Sequence, residues 1–179
     1  MLSVRTARAD SYPAGLVSVS NQLFLMALLT QLCFASNNAH KLDEIRPLLP
    51  SGLALLSLAD IGCHEELPET QDTLEGNARQ KAEYVRQHYG VACFADDTGL
   101  EVTALHGEPG VYSARYAGPQ RLAENNVAKL LRELAGTTDR AARFRTVVAL
   151  AQADGAVHEF AGAVDGFIAP ERRGAEYRY

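Results

Sequence analysis

The sequence is poor in the residue types that carry the most recognisable chemistry. Its three cysteines, Cys33, Cys63 and Cys93, are odd in number and form no CxxC pair, which excludes a disulfide scaffold and fits the reduced interior of a cytoplasmic protein. The five histidines are scattered, and none falls at a metal-ligand spacing; His158 lies in a strand-like segment. GxSxG and HExxH are absent, and no cysteine has a histidine placed to act as its base. Positive charge is also scarce: Lys plus Arg total 17 against 22 Asp plus Glu, a formal net charge of −5. That balance builds no basic stripe along a nucleic-acid backbone, so nucleic acid is excluded as a partner. The apolar run Leu23 to Leu29 (LFLMALL) falls far short of the ~20 residues that cross a bilayer, so no membrane span is expected.

What remains is an ordinary globular composition. The chain has 179 residues, 47% hydrophobic and 22% charged, which is enough for one core. Residues 1–30 mix Arg, Ser, Pro and Gly without sustained periodicity, and read as an unstructured leader left by an upstream start site, with Met26 as an alternative start. Arg5, Arg8 and the apolar run give this segment the outline of a signal peptide. Cleavage near Ala35, however, would remove the first strand. Residues 174–179 read as a solvated tail.

Between these ends the pattern alternates. Leu32–Ala35 reads as a buried strand, followed by a helix with Leu42, Ile45, Leu48 and Leu49 on one face and Ser36, Asn37 or Asn38 as its cap. Leu53–Leu58 is a second strand. Asp72 and Glu75 form a capping box for a helix carrying Leu74, Ala78, Ala82 and Val85 and ended by Gly90. Val91–Ala95 is a third strand, expected to stop at Asp96-Asp97-Thr98-Gly99. A helix over Gln120–Ala135 presents Leu122, Val127, Leu130, Leu131 and Leu134. Asp154-Gly155 marks a two-residue type I′ turn between two final strands. The order implies an α/β domain over residues 31–173, with a mixed central sheet flanked by helices.

Three segments concentrate polar groups at strand ends. Ser36-Asn37-Asn38-Ala39-His40-Lys41 opens a helix, where free backbone N–H groups, amide donors and the Lys41 ammonium can cradle phosphate; it reads equally as a simple cap. His40 on its own reads as an exposed helix residue. Asp96-Asp97-Thr98-Gly99 reads as a hard-cation ligand and water activator, or as an Asx-type turn. Adjacent strand residues point to opposite faces, so one aspartate should face the site and the other the scaffold. Glu65-Glu66-Leu67-Pro68-Glu69-Thr70 is either a solvated charge run or the source of a second carboxylate for the same metal.

Four ordered motifs then resemble one family. FASNNAHKLDEI (Phe34 to Ile45), PETQDTLEGNARQKA (Pro68 to Ala82), FADDTGLEV (Phe94 to Val102) and GEPGVYSARYAG (Gly107 to Gly118) are similar to those of the inosine triphosphate pyrophosphatase family, which hydrolyses nonstandard purine nucleoside triphosphates such as ITP, dITP and XTP to the monophosphate and pyrophosphate. The resemblance implies two lobes with a substrate cleft, a homodimer and Mg²⁺ as cofactor. It implies that Ser36, Asn37, Asn38, Ala39, His40, Lys41 and Thr98 bind substrate, that Asp97 is catalytic base and metal ligand, and that Glu69 is a further metal ligand. Ser113 and Arg115 are the polar candidates of the last motif. The family continues beyond Gly174 into Phe-Gly-Tyr-Asp-Pro and Ser-His-Arg motifs that read the base, so a C-terminal part is expected to be missing. The alternatives are an inactive remnant that at most binds Mg²⁺-triphosphate or dimerises, and a Maf-type nucleotide pyrophosphatase.

Overall fold

The computed structural model describes residues 31–172, so the leader expected over residues 1–30 and the tail at 174–179 lie outside the described residues. The strands are β1 (Gln31–Phe34), β2 (Ala54–Leu56), β3 (Cys93–Val102), β4 (Pro109–Gly110), β5 (Ala141–Ala151) and β6 (Val157–Phe167). Helices α1 (Ala39–Ile45), α2 (Leu74–Tyr89) and α3 (Ala123–Glu133) separate them. The sheet order is β2-β1-β3-β5-β6, with β4 paired to the far end of β3. β1 pairs parallel with β2 and β3, while β3, β5 and β6 are antiparallel. The sheet is mixed and flanked by helices, as the pattern of elements implied.

Small side chains let α2 lie close to the sheet. Ala78, Ala82 and Val85 are fully buried against Cys93, Ala95, Val147, Ala149 and Ala151. All three cysteines are free and buried in this core. Burial pushes the Cys33 and Cys93 thiols up to about 12, so they behave as small hydrophobes. Leu42 of α1 covers Phe34 and Leu55 in a second cluster, and α3 packs Leu130 and Leu134 on Val102, Tyr116 and Ala142 in a third. Among the described residues no helix is long and apolar enough to cross a membrane.

Five local expectations are corrected. Leu48 is 79% exposed rather than on the apolar face; Pro47 tightens the chain after α1 into a 3₁₀ turn over Arg46–Leu48 and rotates it outward. Thr73, not Asp72, caps α2, its Oγ1 accepting from the Gly76 N–H at 3.0 Å, and Glu75 pairs with Arg145 instead of closing a capping box. α3 starts at Ala123 rather than Gln120, because Arg121 at φ 53° breaks the helical path, and Leu122 stands exposed ahead of the first turn. The hairpin loop has three residues: the Gly155 N–H donates to Gln152 O and the Gln152 N–H to Ala156 O, with Gly155 at φ 96°. A type I turn followed by a left-handed glycine fits strands that a type I′ pair would also join. Finally, β3 does not stop at the aspartates. It continues to Val102 because β5 pairs with all ten of its residues, from Cys93↔Ala151 to Val102↔Ala142.

Candidate active site

The unbroken β3 ladder decides the layout. Asp96 and Asp97 are consecutive strand residues, so their carboxylates leave opposite faces of the sheet, and the structure gives each its own partners. On the face covered by α1, Asp96 Oδ2 lies 2.5 Å from Lys41 Nζ and accepts from Thr98 Oγ1 at 3.3 Å. Thr98 Oγ1 in turn lies 2.9 Å from Thr146 Oγ1 on β5. On the face covered by α2, the Asn77 side-chain amide donates to Asp97 Oδ2 at 3.1 Å, and the Thr98 N–H donates to Asp97 Oδ1 at 3.1 Å. Lys81 Nζ donates to Glu69 Oε1 at 2.8 Å and lies 3.9 Å from Asp97 Oδ1. Arg121 Nη2 is 3.9 Å from Glu69 Oε2.

The residues expected at one site therefore meet in two groups, back to back across β3. Asp97 and Glu69 come together through Lys81, while Lys41 and Thr98 come together through Asp96. Asn38 is the cap of α1: its Oδ1 accepts from the His40 and Lys41 N–H groups at 3.0 and 3.3 Å. Those two N–H groups point into the cap, and Ser36 Oγ accepts from the Asn38 N–H at 3.2 Å. Asn37, Asn38, Ala39 and His40 are exposed in the loop and the first turn. Glu65 belongs elsewhere: its Oε1 accepts from the Tyr89 and Tyr84 hydroxyls, and those bonds, Tyr89 first, hold its carboxyl down to about 2.

Asn77 and Lys81 are the functional candidates that apolar periodicity overlooks. Among the described residues they are the two buried polar ones, 1% and 8% exposed. The readable signal was their place on the Leu74-Ala78-Ala82-Val85 stripe of α2, where a polar side chain must find a partner or destabilise the fold. Thr146 carried no such signal.

Glu69 and Asp97 share Lys81 but respond differently. Burial raises the Glu69 carboxyl, yet the Lys81 hydrogen bond and charge, with Arg121 and Arg115, outweigh it and hold Glu69 below the usual carboxylate range. At Asp97 burial wins over Lys81 and Asn77, and the Glu69 charge adds to it, so the carboxyl lies above its usual range. A buried carboxylate short of positive charge beside a second carboxylate is a hard-oxygen donor pair. Among the described residues no cluster of three or more His, Cys, Asp or Glu could hold a metal. Two carboxylates nevertheless suit a Mg²⁺ ion, which commonly takes one or two from protein and the rest of its shell from phosphate and water. The Lys81 ammonium already occupies the position of a cation between them.

The last motif supports this group. A Cβ at Gly99 would stand 2.5 Å from Gly110 O, so only glycine lets β4 approach β3 there. Ser113 locks that approach: its Oγ accepts from the Leu100 N–H at 2.8 Å and donates to Gly110 O at 2.5 Å. Arg115 lies over the Tyr112 ring at 5.1 Å. Together with Tyr116 and Lys129 these two residues line a cleft of about 430 Å³.

The Ham1 family profile matches residues 32–178. The chain is 53% identical over 144 residues to a dITP/XTP pyrophosphatase of Flavobacterium johnsoniae, covering 80% of this chain and 74% of that protein. It is 41% identical over 157 residues to a dITP/XTP pyrophosphatase of Bacillus subtilis, covering 86% and 79%. Among solved structures, the Staphylococcus aureus Ham1 protein superposes with a TM-score of 0.76 at 37% identity, over 82% of this chain and 76% of that one. Shared motifs, sheet and spatial match lead to one conclusion: the chain belongs to the Ham1 family.

Proposed function

We propose that this chain hydrolyses nonstandard purine nucleoside triphosphates of the dITP/XTP class to the nucleoside monophosphate and pyrophosphate. The observation that carries the reading is the Glu69-Lys81-Asp97 group, in a chain more than half identical over 144 residues to a protein bearing that name. Glu69 and Asp97 would hold a Mg²⁺ ion, which would supply charge neutralisation for the phosphates.

Asp97 is the base in this reading. Burial raises its proton affinity, which suits a group that must take a proton from water. Water oxygen bonds to the α-phosphorus, the bond to the bridging oxygen of the β-phosphate breaks, and pyrophosphate leaves. The water proton passes to Asp97. Asn77 and Lys81 fix the carboxylate in place. β1 pairs with β3 only as far as Phe34↔Phe94, and in this reading the triphosphate passes that open edge: Ser36 to Lys41 take it on one face, Asn38 through its side-chain N–H groups and Lys41 through its ammonium, with Thr98 as a further contact, while Asp97 acts from the other. The enzyme acts as a homodimer in the cytoplasm.

The test is pyrophosphate release from dITP, XTP and ITP with Mg²⁺, against ATP and GTP, in the parent and in Asp97→Asn. The expected result is turnover of the nonstandard substrates and a loss of about 10²–10⁴-fold in the variant. No turnover from a chain that unfolds cooperatively would instead identify an inactive remnant.

A further inference from the structure

Glu69 lies within residues 62–73, which form neither helix nor strand, so its distance from Asp97 has to be set by another element. That element is α2. Asn77, Gln80, Lys81 and Tyr84 recur at i, i+3, i+4 and i+7, the spacing of neighbours on one helix face, and each holds a different residue of the loop. Asn77 Oδ1 accepts from the Gln71 N–H at 2.9 Å. Gln80 Oε1 accepts from the Thr70 N–H at 3.0 Å, while its Nε2 donates to Thr70 Oγ1 at 2.8 Å. Lys81 holds Glu69 itself, and the Tyr84 hydroxyl, with that of Tyr89, holds Glu65. The loop therefore runs antiparallel along the helix, and Glu69 is tied down on both sides.

A divalent cation would affect these ties unequally. Bonded to Glu69 and Asp97, it competes for the oxygens beside which the Lys81 ammonium now stands, at 2.8 and 3.9 Å, so the Lys81 tie weakens as the ion enters. Asn77 divides its amide between the loop and Asp97. Gln80 gives both of its bonds to Thr70, the residue next to Glu69. We propose that Gln80 is a positioning residue for Glu69: its double bond to Thr70 keeps the Glu69 carboxylate beside Asp97 when a divalent cation displaces Lys81. This rests on the metal-binding role given to Glu69 and Asp97 in the functional reading, and adds to it a residue that touches neither metal nor substrate.

The effect is on order rather than on burial. Thr70 is exposed and Gln80 half-buried, so water can satisfy the Thr70 N–H and hydroxyl once the amide is gone, and little folding stability is lost. The restraint on the backbone beside Glu69 is lost outright. Residues that orient a metal ligand without bonding the metal typically cost about 10–100-fold in affinity when changed. Gln80 acts through the main chain of a neighbour, which places it at the lower end of that range.

The test uses Mn²⁺ as the probe, its binding read without nucleotide from the free-ion signal in electron paramagnetic resonance, together with hydrogen exchange at the Thr70 amide. Gln80→Met keeps the length and helix propensity of the side chain and removes both bonds. It should bind Mn²⁺ about tenfold more weakly than the parent, exchange faster at Thr70 in the metal-free protein, and unfold within about 2 °C of the parent. Gln80→Glu, whose carboxylate can accept from both the Thr70 N–H and its hydroxyl, should restore slow exchange. Gln87→Met, the same change at an exposed position of α2, should alter neither reading. Unchanged Mn²⁺ affinity or unchanged Thr70 exchange in Gln80→Met overturns the positioning role and leaves the metal site standing. A weaker affinity that comes with a midpoint lowered by more than about 5 °C assigns Gln80 to the fold instead. A parent that binds no Mn²⁺, or binds it no better than Glu69→Gln and Asp97→Asn do, overturns the metal site and this role together.

Discussion

Replacing Lys81 by Met retains the buried stem and deletes the charge that joins the two carboxylates. At an effective dielectric of ~20, the 2.8 Å contact with Glu69 represents about 6 kcal/mol of gross attraction and the 3.9 Å contact with Asp97 about 4 kcal/mol. Desolvation of the ammonium offsets most of this, and removing one partner of a buried pair costs ~3–5 kcal/mol. The Glu69 side chain is still 29% exposed, which moves the expected loss to about 2–3 kcal/mol. For a domain of this size that lowers the thermal midpoint by about 6–9 °C. Urea unfolding of the parent, Lys81→Met, Glu69→Gln and the double variant measures the coupling, expected at about 1–2 kcal/mol. Because Lys81→Met leaves two carboxylates without their shared cation, Mg²⁺ should restore more stability to it than it adds to the parent. Strict additivity of the two single losses, or equal stabilisation of parent and variant by Mg²⁺, would refute the reasoning.

Asp97 makes stability fall as pH rises. Its folded carboxyl binds a proton more tightly than the unfolded one, so its contribution is complete below the unfolded value of about 3.9 and is lost as the pH rises through the folded value. Asp97→Asn should therefore gain on the parent as the pH rises from about 4 through the folded value in denaturant titrations, and a pH-independent difference would refute this. Glu69 works in the opposite sense: its stabilisation is present above about 4.3 and is lost as the pH falls through its lowered folded value, a step that Glu69→Gln should remove. Thr73→Ala should cost about 1 kcal/mol by chemical denaturation and Asp72→Ala less than about 0.5 kcal/mol; the reverse order would return the cap to Asp72. Gly99→Ala should cost about 1–3 kcal/mol through displacement of β4, and calorimetry showing no change would mean that β4 yields freely.

Apolar periodicity was enough to place β1, α2 and the start of β3, because each buries a regular face, and the Asp154-Gly155 turn signal placed the closing hairpin. It failed where the stabilising partner lies far along the chain. Two adjacent aspartates look like the end of a strand until β5, some fifty residues later, supplies the ladder and Lys41 and Asn77 supply the countercharge and the hydrogen bond. Asn77 and Lys81 were hidden for a related reason. They share a stripe with leucine, alanine and valine, and only the position of Glu69 and Asp97 above that stripe makes polar residues stable there. The family motifs named Asp97, Glu69 and Thr98, but motif order alone does not say that β3 divides them between two faces.

That division makes the register of one strand a chemical specification. Within β3, deleting a single residue ahead of Asp96 would turn each carboxylate to the other face, presenting Asp97 to Lys41, moving Asp96 to the Ala95 position and putting Thr98 where Asp97 meets Asn77 and Lys81. Composition and net charge would hardly change, but Leu100 and Val102 would leave their cluster as the carboxylates changed faces. Length variation in this family should therefore be confined to loops outside β3 and β5, since along that ladder counting residues is the same as assigning charges to their partners.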